Sequence, residues 1–338
     1  MLLNAADKAL WRLALPMIFS NITVPLLGLV DTAVIGHLDS PVYLGGVAVG
    51  ATATSFLFML LLFLRMSTTG LTAQAWGAKD PQRLARALVQ PLALALGAGV
   101  LIILLRLPLI DLALHIVGGS EAVLEQARRF LEIRWLSAPA SLANLVLLGW
   151  LLGVQYARAP VILLVVGNLL NIVLDLWLVM GLRMNVQGAA LATVTAEYAT
   201  LIIGLLMAKR VLTLRGVSLA MLKNAWRGDL RRLLALNRDI MLRSLLLQLC
   251  FGALTVFGAR LGSDIVAVNA VLMTMLTFTA YALDGFAYAV EAHSGQAYGA
   301  RDGSQLLEVW RAACRQSGMV ALAFALVYSL AGGHIIAL

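Results

Sequence analysis

The sequence predicts an all-α polytopic membrane protein made of two parallel-repeat helical lobes, and three observations predict it. Of the 338 residues, 61% are hydrophobic and only 12% are charged, a balance foreign to soluble globular domains. The apolar residues gather into nine separable segments, each near the ~20 residues that a helix needs to cross a bilayer. One heptapeptide occurs twice in almost the same form, the mark of an internal repeat. The alternation of a β-barrel is absent. Cys250 and Cys314 lie in or beside apolar stretches and form neither a disulfide framework nor a metal-ligand spacing.

The segments cover residues 13–36, 44–64, 85–105, 135–152, 161–182, 188–208, 245–261, 265–290 and 319–338. The first is too long for a signal peptide, carries Asp31, and is followed at once by further spans. With the N-terminus in the cytoplasm, eighteen Lys and Arg residues fall inside and six outside, with Arg65 left at the inner end of the second span. That asymmetry fixes the expected orientation. The net charge of +8 is thus a topology signal and not a nucleic-acid footprint. The basic stretch 209–243 is the longest connection, expected to lie along the cytoplasmic lipid surface.

The repeat is read from Gln74, Ala75, Trp76, Gly77, Ala78, Lys79, Asp80, which recurs as Gln296, Ala297, Tyr298, Gly299, Ala300, Arg301, Asp302 at an offset of 222. The same offset pairs Val34, Ile35, Gly36 with Val256, Phe257, Gly258, and an offset of 219 pairs residues 47–51 with 266–270. Six spans separate the copies, so both halves point the same way, as in transporters whose pathway lies between parallel repeats. The expected division is an N-terminal lobe at 1–215 with helices 1 to 6 and a partial C-terminal lobe at 216–338 with helices 7 to 9. Against a 6 + 6 plan, three helices are missing. The chain is then expected to be a fragment of a twelve-helix protein or a truncated product.

Acidic groups are costly in lipid and mark pathways by default; the spans hold Asp31, Asp175, Glu197, Asp284 and Glu291. At 1.5 Å per residue, Asp31 lies roughly 27 Å and Asp175 roughly 21 Å above the inner boundary, both in the outer half. Thr193 and Asn144 reach similar depth on their own spans. Asn168, Asn171 and Asp175 share one helix face at i, i+3 and i+7. A polar pocket in the first half follows. Its poorly solvated carboxylates can take up and release a proton, or its Asp, Asn and Thr oxygens can coordinate sodium. Simple interhelical hydrogen bonding is the plainer alternative for the Asn and Thr residues. Asp284 and Glu291 lie at i and i+7 near the inner end of the eighth span, as a gate or an anchor. Pro16 and Pro25 permit a kink in the first helix, and Met17, Met59, Met66 and Met184 either line an adaptable apolar path or pack.

These residues resemble the multidrug and toxic compound extrusion (MATE) transporters, and within them the DinF (DNA-damage-inducible protein F) subfamily. The resemblance is carried by Pro16, the run from Val30 through Asp31 to His37, the paired QA[WY]GA[KR]D motifs, and Asn171 with Asp175 before Gly181. It implies a twelve-helix, two-lobed antiporter of the cytoplasmic membrane, exporting cationic or amphipathic small molecules in exchange for protons or sodium ions. It implies no cofactor beyond the coupling ion and a protein acting as a monomer. The first-helix aspartate of cation coupling corresponds to Asp31, the fifth-helix pair to Asn171 and Asp175, and Asn144 and Thr193 fall where further cation-site oxygens are expected. A sodium site would use Asp31, Asn171, Asp175 and Thr193.

The sequence bears on two other classes. A lipid or lipid-linked sugar flippase shares the wider architecture but usually lines its cavity with basic residues, and none is placed here well inside a span. An intramembrane enzyme lacks support in the dispersed His37, His115, His293 and His334 and in the absence of HExxH or a P-loop.

Overall fold

A computed structural model describes residues 3–38, 40–226, 228 and 230–337, the side chains of 23–31 and 219 excepted. The chain is helical throughout: α1 (Ala5–Gly36), α2 (Pro41–Leu60), α3 (Phe63–Gly77), α4 (Pro81–Val117), α5 (Glu121–Arg134), α6 (Ala138–Gly153), α7 (Arg158–Asp175), α8 (Asn185–Leu214), α9 (Leu219–Asn224), α10 (Leu230–Leu261), α11 (Ser263–Gly299) and α12 (Gly303–Ala337). Among the described residues, eight stretches are long and apolar enough to span a membrane. They cover the second to ninth predicted segments to within one residue at the ends of the fifth and ninth, and the first lies in α1. Only helices satisfy their backbone groups alone in lipid, and many of the side chains left exposed on α10 to α12, such as Leu246, Phe257, Leu272 and Leu322, are apolar.

Three sequence expectations need correction. The second segment is two helices, broken at Leu61–Leu62, which form one 37-residue span Pro41–Gly77. Arg65 is therefore not at a span's edge but buried within α3. The fourth segment begins earlier, because amphipathic α5 runs through a 3₁₀ turn at Trp135–Ser137 into α6, making one span Glu121–Gly153. The third correction concerns the basic connection at 209–243, most of which is helix: α8 continues to Leu214 and α10 starts at Leu230. Helices of 30 and 32 residues reach about 45–48 Å, well past a ~30 Å hydrocarbon layer, so their charged ends stand clear of it.

Packing divides among three apolar clusters. One joins α3, α4, α6, α7 and α8 around Trp150, Leu147 and Leu151. A second joins α1, α2, α4, α5 and α8 around Trp135, Leu131 and Ile110. A third seats α1 on α11 through Leu10, Leu13, Ala14 and Met17 against Phe286, Ala289 and Ala292. The start of α1 is also pinned to α12. Asn4 and Asp7 form a capping box, with Asp7 N donating to Asn4 Oδ1 at 2.8 Å and Asn4 N to Asp7 Oδ2 at 3.2 Å. Arg315 Nη2 donates to Asp7 Oδ1 at 2.6 Å, and Trp11 Nε1 to Gln316 Oε1 at 3.0 Å.

The repeated heptapeptide has a common local structure. In each copy the helix closes with paired backbone bonds: Lys79 N to Trp76 O (3.1 Å) and Asp80 N to Ala75 O (3.2 Å), matched by Arg301 N to Tyr298 O (3.1 Å) and Asp302 N to Ala297 O (3.1 Å). This is the Schellman closure. Its left-handed residue is the basic one, Lys79 at φ 54° or Arg301 at φ 55°, and the aspartate then caps the next helix. The motif glycines serve a different need. A Cβ on Gly77 would lie 1.9 Å from the Gln296 carbonyl oxygen, and one on Gly299 would lie 2.0 Å from that of Gln74. The two copies thus pack backbone against backbone, each glycine under the other copy's carbonyl.

Candidate functional site

The polar residues singled out in the sequence converge. Asn144 of α6, Asn168 and Asn171 of α7, and Thr193 and Glu197 of α8 line one cavity of about 320 Å³, together with Ser141, Thr200, Phe58 and Arg134. Helical spacing arranges this: Ser141 and Asn144 are three apart, Asn168 and Asn171 three apart, and Thr193, Glu197 and Thr200 stand at i, i+4 and i+7. Asn144 Nδ2 donates both to the Glu197 carbonyl oxygen at 3.1 Å and to its carboxylate Oε2 at 3.0 Å. Asn171 Nδ2 donates to Thr193 Oγ1 at 3.3 Å, which itself donates to Ala189 O at 3.2 Å.

Those bonds consume the donors and leave acceptors. Asn144 Oδ1 and Asn171 Oδ1 are buried with no hydrogen-bond partner among the described residues. A buried acceptor left unsatisfied costs about 1–3 kcal/mol, a cost that a hydrogen-bond donor, such as a protonated carboxyl, or a hard cation would relieve. Asp175 is 1% exposed, one turn beyond Asn171 on the same α7 face. It is the last residue before a π-helical turn at Leu176–Gly181, a backbone irregularity common at functional sites. Among the described residues no group of three or more His, Cys, Asp or Glu side chains is placed to hold a metal ion; the oxygens on offer are those of mixed Asp, Asn, Thr and Glu.

Asp31 and Pro25 lie in the stretch 23–31, whose side chains are outside the described residues. Pro16 is within α1, where its carbonyl accepts a bond from Ser20 Oγ at 2.8 Å. Asp284 and Glu291 are apart from the cavity. Glu291 pairs with Arg65 through both carboxylate oxygens, at 3.1 and 3.4 Å, and Arg65 Cζ sits 4.3 Å from the centre of the Tyr288 ring. Asp284 is exposed, within reach of the charges of Arg65 and Glu291.

Two basic residues correct the expectation that none lies inside a span. Arg65 is one. Arg134, counted as an outer-loop charge, instead lines the cavity from the end of α5, with its guanidinium 5.4 Å from the centre of the Phe58 ring and a hydrogen bond to Ser137 Oγ. Sequence reading missed it because α5 is too polar to register as part of a span, although the Ser120 cap before Glu121 marks a helix start. Thr200 was legible in principle from its spacing to Thr193 and Glu197.

A bundle of spanning helices with an internal duplication and a buried polar cavity between helices defines a multi-pass membrane transporter. The MatE family matches residues 16–177 and 240–338, and the chain belongs to that family. It is 88% identical over 336 residues to DNA damage-inducible protein F of Escherichia coli (strain K12), covering 99% of this chain and 73% of that protein. It is 29% identical over 196 residues to the probable multidrug resistance protein NorM of Thermotoga maritima, covering 56% of this chain and 42% of that one. A solved structure described as the outward-facing conformation of a multidrug resistance MATE family transporter of the MOP superfamily is 26% identical, with a TM-score of 0.83 over 98% of this chain and 74% of its own. The family is one of transporters, so the enzyme reading falls.

Proposed function

We propose that this chain forms the larger part of a secondary active antiporter of the cytoplasmic membrane, exporting cationic or amphipathic compounds in exchange for protons or sodium ions. Residues 1–215 act as the N-terminal lobe and 216–338 as part of the C-terminal one, with the N-terminus in the cytoplasm. Coupling runs through Asp31, Asn144, Asn171, Asp175 and Thr193, with Asn168 and Glu197 assisting. The observation that carries this is the acceptor-rich cavity, lined by two asparagines with unpartnered amide oxygens among the described residues and by Glu197. The multidrug names among the relatives support the substrate class.

The test is proton release evoked by lipophilic cations in energised everted vesicles, without sodium, for the chain and its Asp31→Asn and Asp175→Asn variants. Release that both variants abolish is the expected result. No proton release without sodium, and no cation-evoked release of loaded sodium in its presence, from inserted protein would refute the antiporter reading. Arg134 in the cavity favours one alternative, an anionic substrate such as a lipid-linked sugar. Arg134→Gln separates the two, because removing a positive charge improves cation binding and weakens anion binding.

A further inference from the structure

Beside the seam where the repeat motifs meet, a cavity of about 440 Å³ is bounded by Gln74 at the end of α3, Arg83 at the start of α4, Arg232 at the start of α10, and the turn from Tyr298 through Arg301 to Gly303. Arg83 and Arg232 also line a second cavity of about 140 Å³, where they are joined by Arg86 and by an apolar wall of Leu71, Pro91 and Leu233. Four guanidiniums, two from α4, one from α10 and one from the turn between α11 and α12, therefore face one recess made of these adjoining cavities. A surplus of basic residues on this face is what orientation in the membrane requires, and by itself it means nothing more. The arrangement here goes further.

Among the described residues, none of these four arginines has a carboxylate within ion-pairing distance; the pairs found use Arg65, Arg128, Arg129, Arg238 and Arg315. Among the described residues the one acid lining the recess, Asp302, spends an oxygen on the backbone N–H of Gln305. Arg86 has its Nε buried and, among the described residues, without a partner, and the chain passes over its guanidinium at Gly228, where a Cβ would lie 2.5 Å from Arg86 Cζ. Gly228 has a φ of 128°, which glycine alone adopts readily. One turn along α10 from Leu233, Asn237 is 4% exposed with both amide atoms unpartnered. Arg232 is oriented by donating to Gln74 Oε1 at 3.1 Å. Exposed Trp226, whose carbonyl accepts from Gln90 at 3.5 Å, is the residue type that sits at headgroup level.

We propose that this recess binds a phosphate-bearing anion, and specifically the headgroup of an anionic phospholipid. Unpaired guanidiniums match phosphate oxygens bidentately, basic pockets between spanning helices suit such headgroups, and the wall of Leu71, Pro91 and Leu233 gives the adjoining glycerol and acyl carbons an apolar surface. The walls come from both repeat motifs. An occupant that touches Gln74 and Arg301 together binds the arrangement in which Gly77 and Gly299 meet, and so stabilises it by its differential affinity. That the face is cytoplasmic rests on the orientation proposed above; the binding does not.

The experiment uses the purified chain in detergent and native mass spectrometry, with phosphatidylglycerol, phosphatidylcholine, glycerol phosphate and inorganic phosphate each titrated separately. Phosphatidylglycerol is expected to be retained over phosphatidylcholine. In the Arg83→Gln/Arg86→Gln/Arg232→Gln variant retention falls on the order of a hundredfold, at about fivefold per arginine. Arg128→Gln/Arg129→Gln on α5 leaves it unchanged. Equal affinity for glycerol phosphate, lost in the same variant, supports the anion site and overturns the lipid assignment. Retention of phosphatidylglycerol by the triple variant, or no preference for any phosphate, overturns the proposal. Should the triple variant not fold, the Lys-substituted version retains charge and is expected to bind within a few-fold, and binding to the unaltered chain must weaken with salt. Transport is not measured, so failure here leaves the antiporter reading untouched.

Discussion

Replacing Gly77 by alanine tests the seam between the repeat copies most directly. An added Cβ would stand 1.9 Å from the Gln296 carbonyl oxygen and 2.9 Å from its Cα. Both are backbone atoms, which no rotamer change can move aside. Relief to even 3.0 Å requires α3 and α11 to separate by about 1.1 Å, at a site where packed interiors deform little. Overpacking of this kind costs about 1–3 kcal/mol, and about 2 kcal/mol displaces a closure equilibrium roughly 30-fold. Spin labels at Lys79→Cys and Leu307→Cys, in a chain with Cys250→Ser and Cys314→Ser, read the separation as a distance distribution. Gly77→Ala is expected to move it to longer distances, and Gly299→Ala, 2.0 Å from Gln74 O, to do the same. Gly70→Ala is the control: it lies on the same helix, and nothing comes within 4 Å of its added Cβ. If Gly77→Ala left the distribution and thermal stability unchanged in inserted protein, the backbone seam would be wrong.

Two further predictions concern charges. Removing either member of the Arg65–Glu291 pair has unequal effects, because the Arg65 side chain is 4% exposed and that of Glu291 27%. Glu291→Gln strands a buried cation and is expected to cost about 3 kcal/mol, whereas Arg65→Met leaves a carboxylate that can reach water or take a proton and costs less; the order of thermal melting points in detergent checks this. At the start of α1, burial alone would raise the Asp7 carboxyl, but the Arg315 hydrogen bond, the Asn4 backbone N–H and the Arg315 charge outweigh it and hold the group below the usual carboxylate value. A folded value below the unfolded one, about 3.9, contributes stability that is present above that pH and is lost as pH falls through the lower folded value. Asp7→Asn is therefore expected to lower the melting point at pH 7 and to show a smaller further loss than the unaltered chain on acidification; equal acid sensitivity would remove Asp7 from the account.

Much of the fold was legible because lipid imposes a coarse rule. A span must be apolar and about 20 residues long, and eight of the nine predicted segments fall in helices that satisfy it among the described residues. Where the reading went astray, a helix departs from that rule. Amphipathic α5 joins α6 into one span although its own surface is charged, so Arg134 was assigned to a loop. The charged end of α8 and start of α10 extend past the length a bilayer needs while remaining helical, so a linker was predicted where most residues continue a helix. The candidate cavity was legible through depth and spacing: Asn144 and Thr193 reach the depth of Asp175 on their own spans, Asn168, Asn171 and Asp175 share one face, and Glu197 follows Thr193 by one turn. That α6, α7 and α8 meet there is tertiary information, which no single helix carries.

The duplicated heptapeptide shows the same limit from the other side. Its two copies are nearly identical, and the sequence alone offers capping as sufficient reason for a glycine two residues before a basic residue and an aspartate. The structure assigns the left-handed cap to Lys79 and Arg301, at a cost of about 1–2 kcal/mol each for a side-chain residue there. Glycine at the cap would be easier. The glycines are instead spent two residues earlier, where only the absence of a Cβ lets two helix ends touch through their carbonyls. Symmetry explains why both copies keep the same solution: when two like turns meet face to face, the glycine that one needs to admit its neighbour is the glycine that the neighbour needs in return. The repeat is therefore a contact surface duplicated together with its own partner. A change in one copy has to be answered in the other, so Gly77→Ala and Gly299→Ala combined should perturb the seam by less than the sum of the two separately, since a separation forced by the first already makes room for the second.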